Sequence, residues 1–473
     1  MRNNSSLTDN QRIIFELTNC QGKLTWSDNF LEINFKLSCR RDGSLLVSCD
    51  PIPRSLQSNK FEMDRDSTQS RTVQQYTLTG LGPDGVQIAT KYASVSVEKL
   101  ISQSNFIDLE LSIQYLELDW QSTKTDVSRE IIALEYQIPG LECLGSIEVE
   151  APFGKVGVAG ATKVEDYREL TGIITITARP NPNLPEATQL KEIDSAVRRL
   201  LDVLSLAEGR FMEWSIRNRF SDDQIRSGVF RGPKHSSESR YPLFSFLNLQ
   251  PVVKLAVEQY TEEQREKTGL DVAIKWFLIR SQYTEIQCLT MMTALEHLIH
   301  VFRKSHPILP KPIFKKVRMR LQDALNMALK DLSPDIPSKS DDAQEVMSNK
   351  LGYLNQRPLR SNLETLLKDF QVPIPSDIKA AIPSLIKFRD GVVHQGYHSE
   401  SSGSELRLYY LAVLRELLTR VFLSMLKYKG AYQSFGSLVI SGVHNYLIFQ
   451  ANKAYPDRSR WIRWNKCLTF TIP

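Results

Sequence analysis

The chain is expected to fold as an α+β protein, a β-rich first half followed by an all-helical second half. Three observations lead there. Residues 12–180 alternate apolar and polar positions in short runs broken by Gly, Pro and Asp, the period-two pattern of half-buried strands. Residues 179–185 (RPNPNLP) are Pro-rich, and a residue before proline is pushed toward extended backbone, so this stretch reads as a linker. From Glu186 onward the apolar positions recur at helical spacing.

In chain order, IIFEL, FLEINFKLSC, SLLVSC, YTLTGL, ASVSVEKL, FIDLELSI, IALEYQI, GSIEVE and GIITITA read as strands, and their density suits a sandwich-like or barrel domain over residues 1–180. Glu186 to Ala207, Pro251 to Arg265 and Asp271 to Arg280 read as helices of a connecting region, residues 186–280. A helical bundle follows over residues 281–430, with Thr284 to Lys304, Pro312 to Leu332, the apolar run Ile382 to Phe388 and the long amphipathic stretch Glu405 to Tyr428. Inside it, DLSPDIPSKSDDAQEVMSNK (residues 331–350) has two prolines and many Ser and Asp, and is expected to be a mobile insertion. Residues 431–473 form a C-terminal extension of short β-like runs (SLVISGV, YLIFQA, CLTFTIP) around an aromatic and basic cluster. No internal repeat is apparent.

At 473 residues, 41% hydrophobic and 24% charged, the chain has the composition of an ordinary globular protein large enough for about three domains. The start MRNNSSLTDNQR has no apolar run behind a basic end, and the most apolar helix is interrupted by Arg407, Arg415, Glu416 and Arg420, which disfavours a membrane span. A cytoplasmic location and no membrane partner are therefore expected. The six cysteines have no C-x-x-C pair, which fits neither a zinc ribbon nor a disulfide scaffold, so they are read as reduced, mostly buried thiols. The net charge of +5 conceals an asymmetry. Residues 281–473 carry 26 Lys+Arg against 16 Asp+Glu, a net +10, and residues 1–280 carry 33 against 38, a net −5. The basic half attracts polyanions such as nucleic acid, or merely solvates its helices. With no G-x-x-x-x-G-K-[ST], G-x-S-x-G or dinucleotide fingerprint, nucleotide hydrolysis and serine-esterase chemistry lack support.

The basic half also holds Phe388-Arg389-Asp390-Gly391-Val392-Val393-His394-Gln395-Gly396, the one place in the chain where an Arg precedes a His by four to six intervening residues. A guanidinium grips phosphodiester oxygens bidentately, and an imidazole titrating near neutrality moves the proton of a ribose hydroxyl. Together they suffice for RNA transesterification. The structural alternative is an Arg389 that pairs with a carboxylate and a His394 that caps a helix. Along a regular helix the two side chains start about 140° apart, so they converge through arginine length, a helix break or a second protomer.

The motif, with polar Asp390 directly after the arginine, resembles the R-x4-6-H motif of the HEPN superfamily, and Thr284 to Lys304 looks like the first HEPN helix. The order of a β-rich half and then HEPN resembles ApeA-type antiphage proteins, the N-terminal likeness resting on strand order and on Phe106 to Trp120 (FIDLELSIQYLELDW). The resemblance implies an all-α HEPN bundle and a metal-independent endoribonuclease with Arg389, Asp390 and His394 at its centre. It also implies a homodimer or higher even oligomer that pools two motifs in one cleft. RNA, tRNA among the candidates, would be the substrate, a phage-derived trigger a further partner, and no cofactor or metal is called for. The rival reading is a non-catalytic HEPN module that binds RNA or protein; another is a β-domain that recognises a phage protein while the helices only dimerise.

Other residues are weighed beside the motif. Glu296 reaches the Arg389 site from the first HEPN-like helix, or is simply solvated. Glu296-His297-Leu298-Ile299-His300 is not a zinc-protease helix, because its histidines are three apart with the glutamate outside them. Lys315, Lys316, Arg318 and Arg320 bunch near a helix start, where cations oppose the helix dipole, so RNA phosphate contact is one reading and a tolerated solvent face the other. Trp461 and Trp464, flanked by Arg458, Arg460 and Arg463, are candidates for base stacking, with core anchoring as the alternative.

Overall fold

The computed structural model describes residues 13–26, 29–40, 45–50, 52–53, 76–96, 106–107, 110–121, 131–164, 167, 169–221, 224–230, 242–245, 249–281, 283–303, 308–332, 340–355, 358–395, 404–434 and 469–471. The chain is α+β and divides into two compact units, Met1–Glu258 and Gln259–Pro473.

The first unit begins with strands β1 (Ile13–Trp26), β2 (Asn29–Arg40), β3 (Leu45–Cys49), β4 (Ile52–Pro53), β5 (Thr77–Leu81), β6 (Gln87–Ser96), β7 (Phe106–Ile107) and β8 (Glu110–Gln121). The pairings β8–β3–β2–β1–β5–β6 return from β6 to β8, so six antiparallel strands close on themselves. This is a barrel, where the sequence reading also entertained a sandwich. Alternate residues fill it, among them Cys20, Leu24, Ile33, Phe35, Leu37, Leu45, Val47, Leu78, Ile88 and Leu111. The Phe35 ring is accommodated because Gly22 and Gly80, paired across β1 and β5, have no side chains. A Cβ on Gly80 would lie 3.1 Å from that ring and 2.6 Å from the Gln21 carbonyl oxygen. Between Leu17 and Cys20 the β1 register slips at Asn19, whose φ of 57° marks a bulge.

β8 continues past the barrel. Its first half pairs with β3 through residues 110–113 and its second half with β14 (Gln224–Phe230) through residues 115–121, while β6 follows its other edge. The buried set changes phase at that exchange, from Leu111 and Ile113 to Leu116 and Leu118. From β14 the sheet runs on through β13 (Ile216–Phe220), β9 (Ile132–Pro139), β12 (Leu170–Ala178), β11 (Gly154–Ala159) and β10 (Ser146–Ala151). Helix α1 (Glu186–Glu208) buries Ile193, Val197, Leu200, Leu201 and Leu204, the stripe expected of a helix on a sheet, and ends at Gly209 in the left-handed conformation. Helix α2 (Gln250–Glu258) lies beside α1 and β10.

Two strands, β13 and β14, therefore come from the region the sequence assigned to a helical connection. Three of their residues, Arg217, Arg219 and Arg226, obscure the alternation, and each meets a carboxylate: Asp194 at 2.9 Å, Glu186, and Asp119 at 2.9 Å. The Tyr136 hydroxyl also donates to Asp194, at 2.6 Å. The division between units falls after Glu258 rather than in the Pro-rich stretch at 179–185, which instead leads directly from β12 into α1.

The second unit contains α3 (Glu262–Thr268), α4 (Leu270–Leu278), α5 (Thr284–Arg303), α6 (Lys311–Leu332), α7 (Ser340–Leu351), α8 (Leu359–Asp369), α9 (Ser376–Gln395), α10 (Ser404–Met425) and the short paired strands β15 (Ala431–Gln433) and β16 (Thr469–Thr471). Helix α5 is central, packing against α4, α8, α9 and α10. Its buried stripe is Cys288, Met291, Leu295, Leu298 and Ile299, and the helices packed on it bury Phe277 (α4), Leu385 and Phe388 (α9), and Leu414, Leu417, Val421 and Phe422 (α10). The Phe277 and Phe422 rings meet edge to face at 5.2 Å. Residues 340–351 are helix α7, which packs on α6, and not the mobile insertion expected from composition; residues 333–339 lie outside the described residues.

Among the described residues five cysteines are free thiols, four of them buried. Burial, assisted by Asp50, pushes the Cys49 thiol up to about 12, and burial, assisted by Glu285, does the same at Cys288. No described helix is long and apolar enough to cross a membrane.

Candidate active site on the helical unit

Helix α9 runs unbroken from Ser376 to Gln395, ending one residue before Gly396. Arg389, Asp390 and His394 thus lie on one continuous helix, not on a break between two. Pro383 is accommodated inside α9 despite lacking an N–H. The buried positions Ile378, Ile382, Leu385 and Phe388 fix the face turned to the core. Arg389 follows Phe388 by one step of about 100°, which sets it on the rim of that face. Glu296 follows buried Leu295 on α5 in the same way. The two rims meet where α5 and α9 pack.

There Arg389 Nε donates to Glu296 Oε1 at 2.7 Å, and Arg389 Nη1 donates to Asp390 Oδ1 at 2.9 Å. The arginine side chain is 23% exposed, Glu296 35% and Asp390 53%, so the pair closes over the core while its outer side stays open to solvent. Burial acts to lower the basicity of the Arg389 guanidinium. The hydrogen bonds and charges of Glu296 and Asp390 outweigh it, and the pKa stands above its ordinary value. Chemically this is a fixed cation whose Nε and Nη1 are engaged by carboxylates, leaving the Nη2 edge to meet an incoming anion.

Sequence reasoning offered Glu296 two roles, and the structure has it paired with Arg389 rather than solvated. His394 belongs to α9 by its backbone, and its side chain lies outside the described residues. Because the helix is unbroken, convergence of Arg389 and His394 is left to the reach of the arginine or to a second protomer. His297 packs against Gly269, where an added Cβ would lie 2.5 Å from Nε2, and His300 is exposed. Lys315, Lys316, Arg318 and Arg320 are exposed on α6, which packs on α7. Trp461 and Trp464 lie outside the described residues.

Two charged groups in this unit were not anticipated. Arg407 of α10 donates to Glu285 in the first turn of α5. The Glu285 carboxyl is held below its usual range by its own backbone N–H, against the opposing effect of burial and with help from Arg407. At the far end of α10, Glu416 is 1% exposed and accepts from Arg420 Nε at 2.8 Å, from the Tyr432 hydroxyl at 2.7 Å and from the Ser434 hydroxyl. Arg420 Nη1 also donates to the Pro373 carbonyl oxygen at 2.9 Å. The signal was present as Glu-x3-Arg in an otherwise apolar helix, but it had served only to argue against a membrane span. No protein-family model, no curated protein and no solved structure matches this chain.

Proposed function

We propose that the chain is a metal-independent endoribonuclease of the HEPN kind, resembling ApeA-type proteins and acting in antiphage abortive infection in the cytoplasm, with RNA, including tRNA, as substrate. The observation that carries the reading is the half-buried Arg389, anchored by Glu296 on α5 and followed five positions later on α9 by His394. In the reaction the ribose 2′-oxygen attacks phosphorus and the bond from phosphorus to the 5′-oxygen breaks. His394 takes the 2′-hydroxyl proton or gives one to the departing 5′-oxygen, its counterpart on a second protomer doing the other, while Arg389 stabilises charge building on the phosphate. Glu296 is a positioning residue that holds the guanidinium through Nε. The products carry 2′,3′-cyclic phosphate and 5′-hydroxyl ends. A homodimer with its two motifs in one cleft accounts for how residues about 140° apart on one helix act together.

A second reading has an observation of its own. Arg389 is already engaged by two carboxylates, the arrangement of an arginine that serves packing, and this favours a non-catalytic module that binds RNA or protein. Purified wild type, Arg389→Ala and His394→Ala are compared on total RNA and tRNA in EDTA, with analysis of product ends. Cleavage by wild type alone, leaving cyclic phosphates, is the expected result. Intact RNA with all three proteins, also in infected-cell extract that would supply a phage trigger, overturns the nuclease in favour of the binding module.

A further inference from the structure

Among the described residues, helix α6 packs on α7 and keeps its opposite face exposed. Phe314, Gln322, Leu325, Asn326 and Leu329 are partly buried along one face, and from that face Gln322 Nε2 donates to Ser348 Oγ of α7 at 2.7 Å. Ile313, Val317, Leu321, Ala324, Met327 and Ala328 are exposed. Val317, Leu321, Ala324 and Ala328 follow each other at spacings of four, three and four, the a and d positions of a helix that packs along another helix. At 1.5 Å per residue this seam is about 17 Å long. Its second half is alanine, which lets a partner backbone approach closely. Ile313 and Met327 widen it along one flank.

The flanks are cationic. Helical geometry sets Lys316 and Arg320 on one side of the seam and Arg318 on the other, all exposed. Over its length α6 has six Lys and Arg against two Asp. A second copy of α6 laid on this face would oppose like charges along both flanks. An RNA backbone would use the cations and leave the aliphatic seam in water. Both features are satisfied together by a helix with apolar a and d positions and acidic e and g positions.

We infer that the exposed face of α6 is a docking surface for an acidic amphipathic helix of a partner protein. The surface shares no residue with the Arg389 site, and its test does not depend on cleavage. The probe is a fluorescent synthetic helix with Leu at a and d and Glu at e and g, titrated with the full-length protein beside its sequence-shuffled isomer. Wild type should bind the ordered peptide, more weakly as salt rises. Leu321→Asp should weaken binding at least about tenfold, as should Lys316→Glu with Arg320→Glu, and in the latter the salt dependence should vanish or change sign. These positions are exposed, so far-UV circular dichroism should stay unchanged. Equal binding of the shuffled peptide, or indifference to Leu321→Asp, overturns the proposal. So does the absence of peptide binding where the same variants abolish binding to phosphatidylserine vesicles, to single-stranded RNA, or to a second copy seen by sedimentation.

Discussion

Glu416→Gln probes the most deeply buried charge among the described residues of the helical unit. The substitution keeps the shape and removes the anion facing Arg420, itself only 6% exposed, while the hydrogen bond from Arg420 to the Pro373 carbonyl oxygen stays in place. Removing one member of a buried pair costs about 3–5 kcal/mol, because the other charge is left uncompensated. The new amide also replaces one of the two acceptor oxygens by a donor, so that either the Tyr432 or the Ser434 hydroxyl loses its acceptor. Since about 1.4 kcal/mol is a factor of ten, native-state hydrogen exchange of the core amides of α10 should accelerate by about two to three and a half decades. Amides of the β-barrel in the other unit serve as the internal reference and should not change. Arg420→Met alone should cost a similar amount, whereas Glu416→Gln with Arg420→Met should cost no more than either single variant, a coupling of about 3–5 kcal/mol. Additive single-variant losses, or an α10 exchange rate unchanged in Glu416→Gln, would refute the claim that this pair acts as a mutually compensating buried unit.

Glu296→Gln frees the Arg389 Nε from its counter-charge at a partly exposed pair, so melting should show a loss below about 1 kcal/mol, and RNA cleavage should fall through a changed pH profile more than through unfolding. Cleavage and pH profile identical to wild type would remove Glu296 from the site. The thiols of Cys49 and Cys288, held up to about 12 from an ordinary value of 9.0, contribute stability that is complete below pH 9 and declines as pH rises from there toward 12, because only the unfolded chain ionises them. Thermal melts from pH 8 to 11 should show this fall, with a shallower slope in Cys288→Ala; parallel slopes would exclude that thiol as a source. Gly80→Ala puts a Cβ against the Gln21 carbonyl and the Phe35 ring and should cost the barrel about 1–3 kcal/mol in a denaturant titration, where a change inside 0.5 would mean the strands separate freely there.

The parts of the fold that were legible in the sequence are those whose chemistry repeats locally. The α1 and α10 boundaries fall within a few residues of the observed helices, and each period-two run lies on an observed strand, although β1, β6 and β8 extend six to nine residues beyond their runs and β11, short and with two glycines, was not read. β13 and β14 were not legible, since Arg217, Arg219 and Arg226 acquire their meaning from carboxylates on α1 and β8. Nor was the closure of the barrel, which depends on β6 returning to β8. Composition concealed α7, whose Ser and Asp residues belong to a helix that uses α6 as support. At the candidate site the motif was visible as spacing, but its anchoring was not. Glu296 and Arg389 are 93 residues apart, and only the packing of α5 on α9 turns two rim positions into a pair.

The double partnership of β8 has a practical meaning for anyone dividing the chain. Asp119 on β8 and Arg226 on β14 meet although 107 residues separate them. A fragment cut at the Pro-rich stretch near residue 180 would keep the barrel strands but strip β14 from the second half of β8 and β13 from β9. Two strand edges would open at once, each a row of unpaired backbone donors and acceptors able to template association with other chains. Such a fragment is predicted to aggregate. The shortest independently soluble piece of the first unit extends to about Glu258, after the last helix on the sheet, and expression of the two lengths side by side would display the difference.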